Sequence, residues 1–321
     1  MTANGRPRVA ALALLALLAF VALCAGCGKA SPGNVSLGAA STIAQSRSSR
    51  VIVVLLENAE YGEVIGSSSS PYVNALARRY GLMTQSFAIG HPSLPNYLAL
   101  TSGSTHGIDS DCTGCSVSST NIADQLEGAG RSWGAYLEDL PSTSSKPSSC
   151  FEGAQSGGYA KKHNPFAYYK DIAGSPARCR QMKGFGQLAS DLRTGRLPEY
   201  VWISPNLCDD GHDCGEHTAD EFLARSVPAL LRALGPRGFL VLQWDEGTSD
   251  RGCCGVAAGG QIATIVAGPQ VRSGARSAAP IDQYGVLGSI EEAFGLAPLG
   301  GATDPRSGRL TALFQSPPRL R

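Results

Sequence analysis

Three short segments carry side chains suited to moving a phosphoryl group. Glu57-Asn58 closes the apolar run Val51 to Leu56, Asp245-Glu246 closes the run Val241 to Trp244, and Ser93 lies in His91-Pro-Ser-Leu-Pro-Asn-Tyr97. A serine hydroxyl is a weak nucleophile until a metal or a base lowers its pKa. Glu57, Asn58, Asp245 and Glu246 are hard oxygen donors of the kind that Mg²⁺, Ca²⁺ or Mn²⁺ takes, and that Zn²⁺ accepts. A buried strand ending in paired acids is costly unless the charges are solvated or bound to a cation. Taken alone, each acid pair also fits strand-end residues facing water, and Ser93 alone fits a helix N-cap.

The histidines add proton donors. His91 is two residues before Ser93, His163 follows Lys161-Lys162, and His212 sits inside Cys208-Asp-Asp-Gly-His-Asp-Cys214. An imidazole there can protonate a leaving-group oxygen, and Lys162 can balance phosphate charge. His106 and His217 fit satisfied loop histidines as well as site residues.

The elements that must position these groups alternate strand and helix. Strands are expected at Val51–Leu56, Met83–Ala88, Trp133–Leu137, Tyr200–Ile203, Phe239–Trp244 and Ile262–Ala267, and helices at 71–80, 95–101, 122–128, 219–234 and 284–294. Such alternation implies a mostly parallel sheet between helices, whose carboxyl edge is where open α/β folds bind ligands. Pro95 fits the first helical turn, so Ser93 falls near a helix N-terminus, where backbone N–H groups hold phosphate oxygens. Between Pro141 and Arg180 the pattern lapses into Ser, Pro, Gly and Lys, as in a long loop over the site.

Arg6 and Arg8 precede an apolar stretch from Val9 to Gly26, which reads as an export signal over residues 1–27. Ala25-Gly26-Cys27 suits lipoprotein processing with Cys27 lipidated; a plain cleaved signal and an uncleaved anchor are the other readings. Residues 28–49 look like a flexible tether, leaving 50–321 as one catalytic domain. Without residues 1–27 the chain has 25 basic against 26 acidic side chains, a formal charge of −1, which gives no footprint for nucleic acid. Membrane contact is expected only through the N-terminal signal or a lipid.

Apart from Cys24 and Cys27, eight cysteines remain, an even number behind an export signal, which reads as a disulfide framework. Local pairing (112 with 115, 150 with 179, 208 with 214, 253 with 254) is the economical choice among many connectivities. Cys112-Thr-Gly-Cys115 also fits half a zinc site or a redox pair, but no second CxxC accompanies it.

Glu57-Asn58, His91 to Gly103, Lys162-His-Asn-Pro165, Pro205 to Asp213 and Trp244-Asp-Glu-Gly247 resemble, in order, the phosphoesterase family of acid phosphatases and bacterial phospholipases C, and within it the secreted acid phosphatases. The resemblance implies an alkaline-phosphatase-like three-layer α/β/α sandwich and a phospho-serine intermediate. It implies Ser93 as nucleophile and metal ligand, with Glu57, Asn58, Asp245 and Glu246 as the other ligands of one divalent ion. His212, His163 and His91 take catalytic roles, and Lys162 and Asn96 bind substrate. The second-metal aspartate and histidines of the superfamily have no clean counterparts, and Asn206 stands where an aspartate would. The activity implied is an exported phosphomonoesterase acting on phosphoinositide or another small phosphate ester. A phosphodiesterase or phospholipase C on the same scaffold is the alternative, and a non-enzymatic ligand-binding lipoprotein a further one. A carboxyl esterase would carry a Gly-x-Ser-x-Gly elbow, which this chain lacks.

Overall fold

A computed structural model describes residues 48–141 and 150–320, so the expected export signal and nearly all of the tether lie outside the described residues. The strands are β1 (Val51–Leu56), β2 (Gly81–Phe87), β3 (Trp133–Leu137), β4 (Gln155–Ser156), β5 (Tyr159–Ala160), β6 (Met182–Gly184), β7 (Tyr200–Ser204), β8 (Phe239–Trp244), β9 (Gln261–Ala267), β10 (Arg276–Ser277) and β11 (Ile281–Asp282). The helices are α1 (Tyr61–Val64), α2 (Pro71–Arg79), α3 (Ser93–Ser102), α4 (Ile122–Gly128), α5 (Lys170–Ala173), α6 (Pro176–Cys179), α7 (Phe185–Thr194), α8 (Gly215–Ala233) and α9 (Gln283–Phe294).

One sheet runs in the order β10-β2-β9-β8-β1-β7-β3-β6, with β11 also on β2, while β4 and β5 form a separate hairpin. Strand β1 is at its centre, parallel to β7 and β8. Because successive side chains of a strand point to opposite faces, Val51, Val53 and Leu55 pack into one apolar cluster with Leu94, Leu98, Ile122 and Ile290. Ile52, Val54 and Leu56 pack into another with Leu76, Leu188, Leu223 and Val227. Helices α3, α4 and α9 thus cover one face and α2, α7 and α8 the other. This is the three-layer α/β/α sandwich expected. It also explains why β1 and β8 are apolar at nearly every position, since strands buried on both faces have no solvent side.

Strand β9 departs from the parallel pattern, running antiparallel to both β8 and β2. The segment between β8 and β9 contains no helix, and a parallel neighbour needs a crossover of a dozen or more residues, usually helical. The segment from Pro141 to Arg180 is more structured than a plain loop. It holds the β4–β5 hairpin, two 3₁₀ turns (Lys161–His163 and Pro165–Tyr168), α5 and α6, with residues 142–149 outside the described set. Strand β6 and helix α7, which follow it, have no counterpart among the expected elements.

The disulfides pair locally: Cys112 with Cys115, Cys150 with Cys179, Cys208 with Cys214 and Cys253 with Cys254. The Cys150–Cys179 bridge spans 29 positions. Closing a loop of that size removes unfolded-chain entropy worth about 3.6 kcal/mol.

Candidate active site

The carboxyl ends of β1, β2, β7 and β8 meet at one edge, and the chemistry collects there. Glu57 follows β1, Asp245 and Glu246 follow β8, Asp210 and His212 lie in the loop after β7, and Ser93 opens α3 after β2. Helix α3 is buried along its whole length. Its entry loop is held by Asn96, whose Nδ2 donates to the carbonyls of Gly90 (2.8 Å) and Pro92 (3.2 Å) while its Oδ1 accepts from the Gly90 N–H. The amide expected to bind substrate is therefore engaged in shaping the turn that carries Ser93.

Ser93 is 1 % exposed, and its Oγ donates to Glu57 Oε2 at 2.9 Å with Glu246 Oε1 at 3.4 Å. Lys162 Nζ reaches the same hydroxyl at 3.5 Å. Glu57 also accepts from the phenol of Tyr97, one helical turn after Ser93 on the same face of α3. Asp245 is fully buried. Its Oδ1 accepts from the N–H groups of Asn58 (3.0 Å) and Glu246 (2.7 Å), while its Oδ2 has no partner. Asn58 itself is exposed and adopts a left-handed backbone at φ 54°, so its peptide rather than its side chain is what engages Asp245.

A second group closes the site from the loops. His163 stacks on Tyr97 with ring centroids 5.3 Å apart. Its Nε2 lies 3.1 Å from Glu57 Oε2 and its Nδ1 3.0 Å from Asp210 Oδ2. Lys162 pairs with Asp111 at 3.1 Å and approaches His212 Nε2 at 3.1 Å, and His212 Nδ1 meets Asp213 Oδ1 at 2.7 Å. His91 caps the other side, its Nδ1 on Glu246 and its Nε2 on the Ser249 carbonyl at 3.2 Å. His106 bonds Ser102 at 2.8 Å, and His217 is an exposed residue of α8 facing Glu221, so neither joins this cluster.

The electrostatics are those of crowded acids. Burial, then the neighbouring charges of Glu57 and Glu246, pushes Asp245 well above the usual carboxylate range. Burial likewise raises Asp210 and Glu246, against the opposing pull of His163 and His91 respectively. Burial would raise Glu57 too, but His163, Tyr97 and Lys162 outweigh it and hold Glu57 low. Burial favours a neutral His163, yet Glu57 and Asp210 on either side lift it to about 10.

The donor set fits a cation. Ligand atoms of Glu57, His163 and Asp210, all buried, lie within 4.8 Å of one another. His163 Nε2 and Asp210 Oδ2 sit at contact distance from acids or imidazole without donor–acceptor alignment, and Asp245 Oδ2 is bare. Unpaired buried atoms that converge in this way are what a divalent ion would satisfy. Glu57 belongs both to this trio and to the expected set of strand-end ligands.

The profile of the phosphoesterase family matches residues 58–297. The chain belongs to that family. Membership makes it a phosphoric ester hydrolase. The phosphatidylinositol-3-phosphatase of Mycobacterium tuberculosis is 32% identical over 258 residues, covering 79% of this chain and 79% of that protein. The phosphate-repressible acid phosphatase of Penicillium chrysogenum is 31% identical over 206 residues, 62% of this chain but 48% of that protein, so the chain spans about half of the fungal relative. Among solved structures, an alkaline phosphatase superfamily protein from Vibrio parahaemolyticus superposes with a TM-score of 0.54 at 13% identity, over 81% of this chain and 71% of that one, which shows the shared fold.

Three residues of this phosphoesterase site were not among those expected: Asp210, Tyr97 and Asp111. Asp210 had a signal, an acid inside a loop closed by Cys208 and Cys214. Tyr97 had one also, the i+4 spacing from Ser93. Asp111 had none, since only the fold brings it to Lys162.

Proposed function

We propose that the protein is an exported phosphomonoesterase in which Ser93 attacks phosphorus. The observation that carries this reading is the Ser93 hydroxyl, buried at the start of α3 and reaching Glu57, Glu246 and Lys162 at once. Glu57, Ser93, Asp245 and Glu246 are the residues that would hold one divalent ion, with His163 and Asp210 closing it from the loop side, while the exposed Asn58, expected as a ligand, contributes only its peptide N–H to Asp245. Such an ion lowers the pKa of a bound hydroxyl and draws charge from phosphoryl oxygens.

The chain's own groups account for the remaining steps. Glu57 Oε2 accepts the Ser93 proton as the Oγ–P bond forms. Lys162 balances the charge on the phosphoryl oxygens, with Asp111 fixing its position. The P–O bond to the leaving group breaks as His212, oriented by Asp213, delivers a proton to that oxygen. Water then attacks phosphorus, giving a proton to His212, and the P–Oγ bond breaks as Glu57 returns its proton to Ser93 Oγ, releasing phosphate. His91 orients Glu246, and Tyr97 donates to Glu57 and fixes its position.

Beside Lys162 and His212 lies a cavity of ≈ 260 Å³ that also presents Asp111, Gln155, Tyr168 and Asp213. A small polar leaving group suits it, which supports a monoester such as a phosphoinositide headgroup or another small phosphate. Export is supported by the basic-then-apolar N-terminus and by four disulfides, which persist in oxidising compartments. The test is a panel with nitrophenyl phosphate and bis-nitrophenyl phosphate, each with chelator or added divalent ions. Faster metal-dependent turnover of the monoester is expected. Preference for the diester would move the reading to a phosphodiesterase, and no turnover of either to a ligand-binding protein.

A further inference from the structure

The two edges of the sheet carry opposite charge. At the strand starts, Arg78 and Arg79 end α2, Arg193 ends α7 and Arg232 ends α8, while Arg196 and Arg272 sit in adjoining connections; all are exposed. Among the described residues no carboxylate pairs with any of these six, whereas Glu127, Glu199 and Glu292 near the same edge are engaged by Arg178, Arg131 and Arg309. Basic residues in a helix's last turn offset its dipole, which accounts for four of the six. Arg272, outside any helix, donates to the Ala312 carbonyl, so the residue left without a local role is Arg196.

Two further observations fall on this edge. A groove of ≈ 980 Å³ presents Arg79 and Arg232 beside apolar Leu234, Pro236, Pro269 and Val271. The chain also enters the domain here. A Cβ on Gly235 would come 2.3 Å from the Ser48 carbonyl, and buried Arg50 fixes that entry by donating to the carbonyls of Ser48 (3.1 Å), Ala233 (2.8 Å) and Leu197 (3.0 Å). The described chain therefore enters the fold at the basic edge.

We propose that this edge docks the domain on an anionic phospholipid bilayer, with a phosphodiester headgroup received between Arg79 and Arg232. Arginine pairs phosphate in fork geometry, and each basic side chain near an anionic bilayer contributes about a five-fold factor in binding. The apolar groove wall accepts the glycerol end of the lipid. The docking stands apart from the phosphatase reading, but one consequence rests on it. The site of Ser93 lies at the other end of the strands, roughly 20 Å away, so the docked enzyme acts on soluble esters rather than on lipids of the bilayer that holds it.

The test uses the full chain and vesicles of phosphatidylcholine alone or mixed with phosphatidylglycerol, comparing wild type with Arg79→Gln/Arg196→Gln/Arg232→Gln/Arg272→Gln. Affinity for the anionic vesicles should fall at least about a hundred-fold in the variant and fall with salt in the wild type. Binding to neutral vesicles, through the apolar N-terminus, should be equal for both. Turnover of soluble nitrophenyl phosphate should also be equal, which reports folding and the active-site reading separately. If the variant loses that turnover, Arg196→Gln/Arg272→Gln replaces it, with a drop of about ten-fold or more expected. Wild-type affinity of either variant for anionic vesicles overturns the proposal, as does wild-type binding that ignores vesicle charge. Stronger retention by a soluble polyphosphodiester than by vesicles would assign the edge to a polymer and equally overturn it.

Discussion

The carboxyl and amino edges of this sheet are built from the ends of the same strands, yet they handle charge in opposite ways. At the carboxyl edge Glu57, Asp210, Asp245 and Glu246 are buried together, with one oxygen of Asp245 left bare. At the amino edge the arginines are exposed to water, and the one buried there, Arg50, donates to three carbonyls. Burying like charges is expensive, so the fold tolerates at one end what it avoids at the other. The difference teaches where to look for function: the unsatisfied, crowded end is the one that a bound cation would stabilise.

The sharpest way to break this contrast is Ser93→Ala. Turnover of phosphate esters should fall by at least about a thousand-fold with the fold intact, because a nucleophile is lost. Retention of a tenth of the rate would return Ser93 to the role of helix start. The same assay on Arg79→Gln should show no change.

Next in size is the cation. Asp245→Asn should cut activity about a hundred-fold or more and lower the metal content measured by elemental analysis. Chelation of the wild type should lower the melting temperature by several degrees, since removing a ligand of the folded state alone destabilises it. Undiminished metal content in Asp245→Asn, together with a melting temperature indifferent to chelator, would make these acids structural.

His212→Asn separates proton transfer from binding. Alkyl phosphates should slow at least about ten-fold more than nitrophenyl phosphate, whose leaving anion scarcely needs a proton. Equal losses would make His212 a phosphate or metal ligand instead.

The smallest effect is expected just outside the site. Glu216, in the first turn of α8, is pushed up to about 7 by burial, against the Trp244 indole N–H that donates to it at 3.0 Å. A carboxyl raised in the fold favours the folded state while protonated, so its contribution is full below about pH 4 and lost as pH rises towards 7. Thermal unfolding from pH 4.5 to 8 should therefore decline less steeply in Glu216→Gln, by at most about 3 kcal/mol. Parallel curves would contradict the assignment.

Much of the carboxyl edge was legible in the sequence because the signal is local. An apolar run that stops at Glu57 or Asp245 marks a strand end, and a parallel sheet puts strand ends together. The antiparallel β9 was written less plainly, in the missing helix between Trp244 and Gln261. Helix α7 and short β6 follow an irregular segment whose lapse in periodicity extended the reading of loop too far. Asp111 is the limiting case, since its approach to Lys162 depends on how two loops pack. The basic edge was invisible to net charge, because opposite charges segregated along one axis cancel in the total.

The most direct test of the central claim is to quench the enzyme during turnover of a phosphate ester and map covalent phosphate by mass spectrometry. The account predicts one phosphoryl group on the peptide bearing Ser93, absent from Ser93→Ala and from chelated enzyme. Rapid turnover with that peptide unmodified, and phosphate on another residue, would contradict it.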